Sequence, residues 1–362
     1  MAESGAEGVN GGRYEMSDKT RRCAFALPRR RVLFNPSVPQ PLAESARRGT
    51  GRGLARILVT GAAGFVGRSV CPELARRGHA VLGIVRTDAG APAGIRTRAV
   101  GDIAPTTDWS GPLREIDVVI HLAARAHRSG SDADFALEPP AAAALARAAA
   151  RAGVRRLVHL SSIKAVADAT PRDLPIAPDA APHPADAYGR AKLATEQALR
   201  NVAAIAGLDL VVVRPPLVYG PGVRANFGAL IRLAASGLPL PFAKVDNRRS
   251  LIFIGNLVDL ICRAAEHPAA AGATVHARDD EEFSTPGLIR VLAAAQDREA
   301  RLFSAPDSTL AALGTLPWLG PRLARLIQSL RIDDSDTRAA LGWSPPVAAA
   351  EGLAAAVKGL AE

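Results

Sequence analysis

The sequence predicts an α/β fold: a doubly wound parallel sheet followed by a smaller, mixed α/β C-terminal lobe. Three observations carry that prediction. From Arg56 onward, short apolar runs alternate with helical patterns, the signature of parallel strands covered on both faces. A glycine-rich loop joins the first run to the first helix. After Pro215 the alternation gives way to shorter helices, turns and single strands, which marks the second lobe.

Residues 1–53 are rich in Gly, Pro, Ser and Arg, lack periodicity and cannot bury a core. They read as a disordered extension or an over-called start, with Arg21–Arg31 as a basic arm in the alternative. Arg56–Thr60 (RILVT) is the first strand, and a helix spans about Phe65–Arg77. Ala80–Val85, Asp117–Leu122 and Arg156–Leu160 read as further strands, and Leu208–Val213 as one more. Helical patterns fall near Leu145–Ala152 and over Ala187–Ala206.

Composition excludes several classes. In 362 residues, 48% hydrophobic, no apolar run reaches 18 residues, so no transmembrane helix is expected. Glu3, Glu7, Glu15 and Asp18 near the start, with no apolar run, argue against a signal peptide. Cys23, Cys71 and Cys262 are odd in number and far apart, which gives neither a disulfide framework nor a metal site and fits a reducing cytoplasm. The net charge of +10 is divided: residues 1–53 hold ten basic and five acidic residues, and the rest of the excess is thinly spread. With only 4% aromatic residues as well, no nucleic-acid partner is expected.

The chemistry begins at Gly61-Ala62-Ala63-Gly64-Phe65-Val66-Gly67, between first strand and first helix. Glycines there allow a tight turn, close approach of a pyrophosphate to the helix N-terminus, and close helix–strand packing. That is the dinucleotide site of a Rossmann domain. The second strand ends in Arg86 with no carboxylate until Asp88, so Arg86 is read as a partner for a 2′-phosphate, tilting the cofactor from NAD toward NADP, or else as a solvated loop residue. Asp102, with Ile103 beside it, is placed to accept from the adenine amino group, or else is an ordinary turn aspartate. Tyr188 and Lys192 are spaced i, i+4 on one helix face, so the ammonium stands beside the phenol and, with an oxidised nicotinamide, is expected to lower its pKa toward a useful acid/base range. Ser161-Ser162, ending the preceding strand, supply a hydroxyl for the reacting substrate oxygen.

Together these residues resemble the extended short-chain dehydrogenase/reductases, in their NAD-dependent epimerase/dehydratase branch. Further markers are His121-Leu122-Ala123-Ala124, Arg214-Pro215-Pro216-Leu217-Val218-Tyr219-Gly220-Pro221-Gly222, Arg248-Arg249-Ser250-Leu251-Ile252-Phe253-Ile254 and Leu341-Gly342-Trp343. Within the branch the chain is similar to UDP-glucose 4-epimerase-like proteins of polysaccharide clusters, some of which are 4-ketoreductases. The resemblance implies that Ser162, Tyr188 and Lys192 are catalytic. It implies that Gly61, Gly64, Phe65, Val66, Gly67, Arg86, Asp102, Ile103, Leu122, Ala123, Ala124, Tyr188, Lys192 and Pro215 meet NAD or NADP. Ser162, Asn226, Phe227 and Arg249 would meet a UDP-sugar, and a homodimer is a family expectation. The implied division is a dinucleotide-binding domain at 54–215 and a nucleotide-sugar-binding lobe at 216–362, partly interleaved with the first.

The chain departs from the pattern in three places. Glu138-Pro139-Pro140-Ala141-Ala142 stands where the family usually has an asparagine, a glycine and a threonine, and the prolines are expected to shorten that helix at its beginning. Leu217 replaces a substrate-contacting asparagine. Ile163-Lys164 follows the serine pair, leaving Lys164 as a substrate or phosphate ligand or a solvated side chain. The altered Glu138 segment also motivates an alternative function, an NAD(P)-binding sensor or assembly protein with weak catalysis.

Overall fold

The computed structural model describes residues 54–88, 90–124, 132–223, 225–306, 312, 315, 316 and 320–361. The expectations for residues 1–53 lie outside them. Seven parallel strands form the main sheet in the order β3-β2-β1-β4-β5-β6-β9. They are β1 (Arg56–Thr60), β2 (Ala80–Val85), β3 (Arg96–Ala99), β4 (Val118–His121), β5 (Arg156–Leu160), β6 (Asp209–Arg214) and β9 (Thr274–His276). The order reverses direction at β1, whose neighbours are β2 and β4, and the crevice above that point is where doubly wound sheets hold nucleotides.

Strand alternation sorts the core into two layers. Ile57, Val59, Val118, Ile120, Val158, Val211 and Val213 face helices α1 (Gly67–Arg76) and α6 (Ile254–Glu266). Leu58, Val119, Leu157, Leu210 and Val212 face the opposite helices, α3 (Glu138–Arg151) and α4 (Ala187–Ala206). Nearly every central strand residue is buried on one side or the other, which is why these strands read as unbroken apolar runs.

Helix α3 corrects one expectation. It begins at Glu138 and takes Pro139 and Pro140 into its first turn. The first N–H groups of a helix have no intrahelical acceptor, so proline loses nothing there and its fixed φ suits the start. The prolines therefore open α3 and do not shorten it. Helix α4 starts and stops by side-chain chemistry: the Asp186 carboxylate accepts from Gly189 N at 2.8 Å, and Gly207 closes the helix at φ +65°.

After β6 the chain builds a three-stranded sheet in the order β10-β8-β7, from β7 (Leu217–Tyr219), β8 (Arg249–Phe253) and β10 (Glu282–Phe283). Its own core gathers Tyr219, Phe227, Ile231, Leu251, Leu288, Leu292 and Leu353. Strand β9 and helix α6 also come from this later stretch but complete the main sheet. Among the described residues no helix is long and apolar enough to cross a membrane.

Candidate active site

The glycine loop sits at the carboxyl end of β1, pressed against the turn after β4. Gly61 has φ +69°, and a Cβ there would lie 2.9 Å from Ala123 N. A Cβ on Gly67 would lie 2.2 Å from the Gly61 carbonyl oxygen, so only glycine lets α1 start this close to the loop. The neighbouring turn is tied down by Thr60, whose hydroxyl lies 2.7 Å from His121 Nδ1 and accepts from Ala123 N at 3.2 Å, while Leu122 N donates to Thr60 O at 3.3 Å. The first turn of α1 has no side-chain cap. Gly61 and Gly67 thus let the loop, the turn at Leu122-Ala123 and the start of α1 pack within backbone contact, with Gly64, Phe65 and Val66 between them, the close packing of helix and strand that a dinucleotide-binding loop requires.

At the far rim of β2, Arg86 and Asp102 stand 3.5 Å apart, both largely exposed. An exposed pair of this kind is worth at most about 1 kcal/mol. Ile103 packs its side chain under the rim.

The serine, tyrosine and lysine converge where β5 ends and α4 begins. Ser162 caps a short 3-10 turn at Ile163–Ala165, and its hydroxyl accepts from Lys164 N at 3.2 Å. Ile163 N donates to Pro215 O at 2.9 Å, which brings Pro215 against the same turn. The Ser162 hydroxyl lies near enough to the Tyr188 phenol to act on its proton affinity. Lys192 Nζ lies 5.8 Å from the Tyr188 ring centroid and donates to Leu160 O at 3.4 Å.

Electrostatics set the resting state of this group. Burial, followed by the Glu138 carboxylate, pushes the Tyr188 phenol up to about 12; the Ser162 hydroxyl opposes that and Asp186 adds to it. Burial lowers the Lys192 pKa, against Glu138 and Glu196, which favour its charge. His121 is buried and stacks on His159 at 5.4 Å. Burial, then the Lys192 cation, pushes His121 down to about 3, and the same causes hold His159 well below the ordinary imidazole value. Both rings are therefore neutral at neutral pH, and the rise of the Tyr188 phenol runs against the lowering expected from Lys192, because burial dominates its surroundings.

Sequence reasoning missed four participants. Phe135 sets its ring edge-on to Tyr188 at 6.1 Å. Glu138 acts on both Tyr188 and Lys192, although the sequence showed it only as a missing asparagine. Glu196 accepts from Ser161 at 2.5 Å and from Arg214 at 3.0 and 2.6 Å, joining α4 to the ends of β5 and β6. Its position four residues after Lys192 was the available signal. Arg325, on the helix Gly320–Ile327, acts on both Asp186 and Arg249.

The residues expected to meet the substrate are placed unevenly. Arg249 is half-buried and donates to Gln328 O at 3.0 Å; burial and then Arg325 lower its pKa to about 10, a crowding of cations that an anion would relieve. Phe227 is buried in the lobe core, stacked on Tyr219 at 5.3 Å, so it offers its backbone and not its ring. The Asn226 side chain lies outside the described residues. Leu217 projects with 40% exposure from β7.

A family model described as the NAD dependent epimerase/dehydratase family matches residues 57–276. A UDP-glucose 4-epimerase of Vibrio cholerae is 36% identical over 305 residues, covering 82% of this chain and 93% of that protein. A UDP-glucose 4-epimerase of Mycolicibacterium smegmatis is 32% identical over 324 residues, covering 84% and 97%. Among solved structures, a UDP-glucuronic acid 4-epimerase from Bacillus cereus in complex with NAD superposes with a TM-score of 0.67 at 22% identity, covering 84% of this chain and 98% of that one.

Proposed function

The chain belongs to the NAD-dependent epimerase/dehydratase family, and from that premise we propose that it is an NAD(P)-dependent enzyme acting by hydride transfer at C4 of a UDP-sugar. The observation that carries the reading is the convergence of Ser162, Tyr188 and Lys192 beside the glycine loop. A protein that only binds a dinucleotide has no chemical need for the trio. When bound, the nicotinamide ring accepts or returns hydride at the sugar carbon. Ser162 then holds the C4 oxygen by a hydrogen bond and steers it to Tyr188. The phenol exchanges one proton with that oxygen, and Lys192 supplies positive charge next to it. Arg249, with Asn226 and Phe227 on the same lobe, is assigned to the nucleotide diphosphate.

Epimerisation is the primary reading, supported by the two 4-epimerase relatives. One observation favours a second reading, one-way reduction of a 4-keto sugar by NADPH: β2 is followed by Arg86, a guanidinium suited to a 2′-phosphate, with no carboxylate until Asp88. Incubation of the purified protein with UDP-glucose separates them. Appearance of UDP-galactose without added cofactor supports epimerisation. No interconversion, with NADPH-dependent consumption of a UDP-4-keto sugar, supports reduction. Arg86 is exposed and only weakly engaged by Asp102 at 3.5 Å, so its guanidinium stays available to a 2′-phosphate. Arg86→Ala is expected to weaken NADPH binding at least threefold more than NADH binding, and equal effects would remove Arg86 from cofactor choice.

A further inference from the structure

Lys164, expected to be a substrate or phosphate ligand or a solvated side chain, is engaged by the protein itself. Its ammonium is enclosed by two carboxylates: it donates to Asp186, and it pairs with Asp168 at 2.6 Å. Each of those carboxylates has a second bond that matters. The other oxygen of Asp186 caps α4 at Gly189 N, one residue beyond Tyr188. Asp168 accepts from Ala185 N at 2.9 Å, on the strap that leads into the same helix.

The backbone of Lys164 meets the other half of the chemistry. Its N–H donates to the Ser162 hydroxyl at 3.2 Å. Its carbonyl faces Gly189 so closely that a Cβ there would lie 2.4 Å from the oxygen, so the first turn of α4 rests directly on the 3-10 turn. His183 N donating to Val166 O at 2.7 Å closes the strap a second time. One residue therefore holds the serine hydroxyl by its backbone and the cap of the tyrosine helix by its side chain.

We infer that Lys164 is a positioning residue for hydride transfer, a clamp that fixes the Ser162 hydroxyl relative to the Tyr188 phenol through Asp186 and Asp168. The inference rests on the proposed reading of Ser162 and Tyr188. Bonds across this junction matter because the reacting oxygen must meet both groups at once, and a displacement of about 1 Å at a reacting centre costs on the order of 100-fold in rate. A neutral side chain at 164 also leaves Asp186 and Asp168 facing one another without their shared cation, which loosens the cap that starts α4.

The test uses the full chain as Lys164→Met and Lys164→Arg, with two readouts. The first is steady-state turnover of the UDP-sugar, with KM and the NAD dissociation constant. The second is the ring-carbon NMR signal of Tyr188 in protein labelled at tyrosine; the chain has three tyrosines, and Tyr188→Phe identifies the signal. Lys164→Met should lower kcat by about 10-fold or more with KM and NAD affinity within about twofold, by loss of alignment alone. It should also move the Tyr188 signal and leave that of Tyr219, buried in the other lobe's core, in place. Lys164→Arg should restore most of the rate. Unchanged kcat and an unmoved Tyr188 signal in Lys164→Met overturn the clamp. So does a general loss of melting temperature that moves Tyr219 equally and is not rescued by arginine. If the wild-type protein turns over no UDP-sugar but the methionine variant still moves Tyr188 selectively, the functional reading fails and the clamp stands.

Discussion

Replacing Glu196 by glutamine tests how the fold holds the site. The carboxylate is almost fully buried, receives two bonds from Arg214 and one from Ser161, and lies four residues beyond Lys192 on α4. Glutamine keeps the shape but removes the charge, leaving the buried Arg214 guanidinium without its counter-ion. Breaking a buried pair in this way costs about 3–5 kcal/mol. For a chain of this size about 2 °C of melting temperature is lost per kcal/mol, so a fall of about 6–10 °C is expected. The loss should reach the chemistry as well, because Ser161 precedes Ser162 and Arg214 precedes Pro215, whose carbonyl holds the turn after the serine. The assay is a reversible thermal melt followed by circular dichroism, paired with kcat at a temperature where both proteins are folded. A melting temperature within about 2 °C of wild type would refute the reasoning, since Arg214 would then have found solvent or another partner.

Two further outcomes follow from the site's geometry. Gly67→Ala places a Cβ 2.2 Å from the Gly61 carbonyl oxygen, more than 1 Å inside ordinary contact, and should cost about 1–3 kcal/mol and weaken NAD binding at least 10-fold in a fluorescence titration. Normal binding would mean the loop is not the dinucleotide site. Glu138→Gln removes a negative charge that disfavours the phenolate, so the Tyr188 pKa should fall below its value of about 12. In the same sense, stability stored in the neutral phenol is present below the unfolded value of about 10 and lost as pH rises through the folded one. The tyrosine NMR titration, read with Asp186, Ser162 and Lys192 intact around the ring, checks the direction; a rise would contradict it.

The central sheet was legible because its strands, buried on both faces, leave continuous apolar runs such as VVIH and DLVVVR. The i, i+4 spacing of Tyr188 and Lys192 was equally plain, since helix geometry alone brings the two together. Strand β9 was not legible: three residues, TVH, carry no periodicity, and joining the main sheet after β6 is a choice made by the tertiary fold. Pro139-Pro140 misled because proline breaks helix interiors but suits their first turn. That the Phe227 ring fills the lobe core was not legible either, since its partners Tyr219 and Leu251 come from two separate strands. For Lys164 the sequence offered Asp168 at i+4 but gave no sign of Asp186, whose approach depends on how the strap folds back.

The account stands most directly on Tyr188 as the group that exchanges a proton with the sugar oxygen. Turnover of the UDP-sugar by Tyr188→Phe, measured beside NAD binding by the same protein, tests it. Loss of about 100- to 10,000-fold in kcat with NAD affinity within a few-fold of wild type is the predicted result. Turnover within about threefold of wild type would contradict it, and the proton would have to be carried by another group.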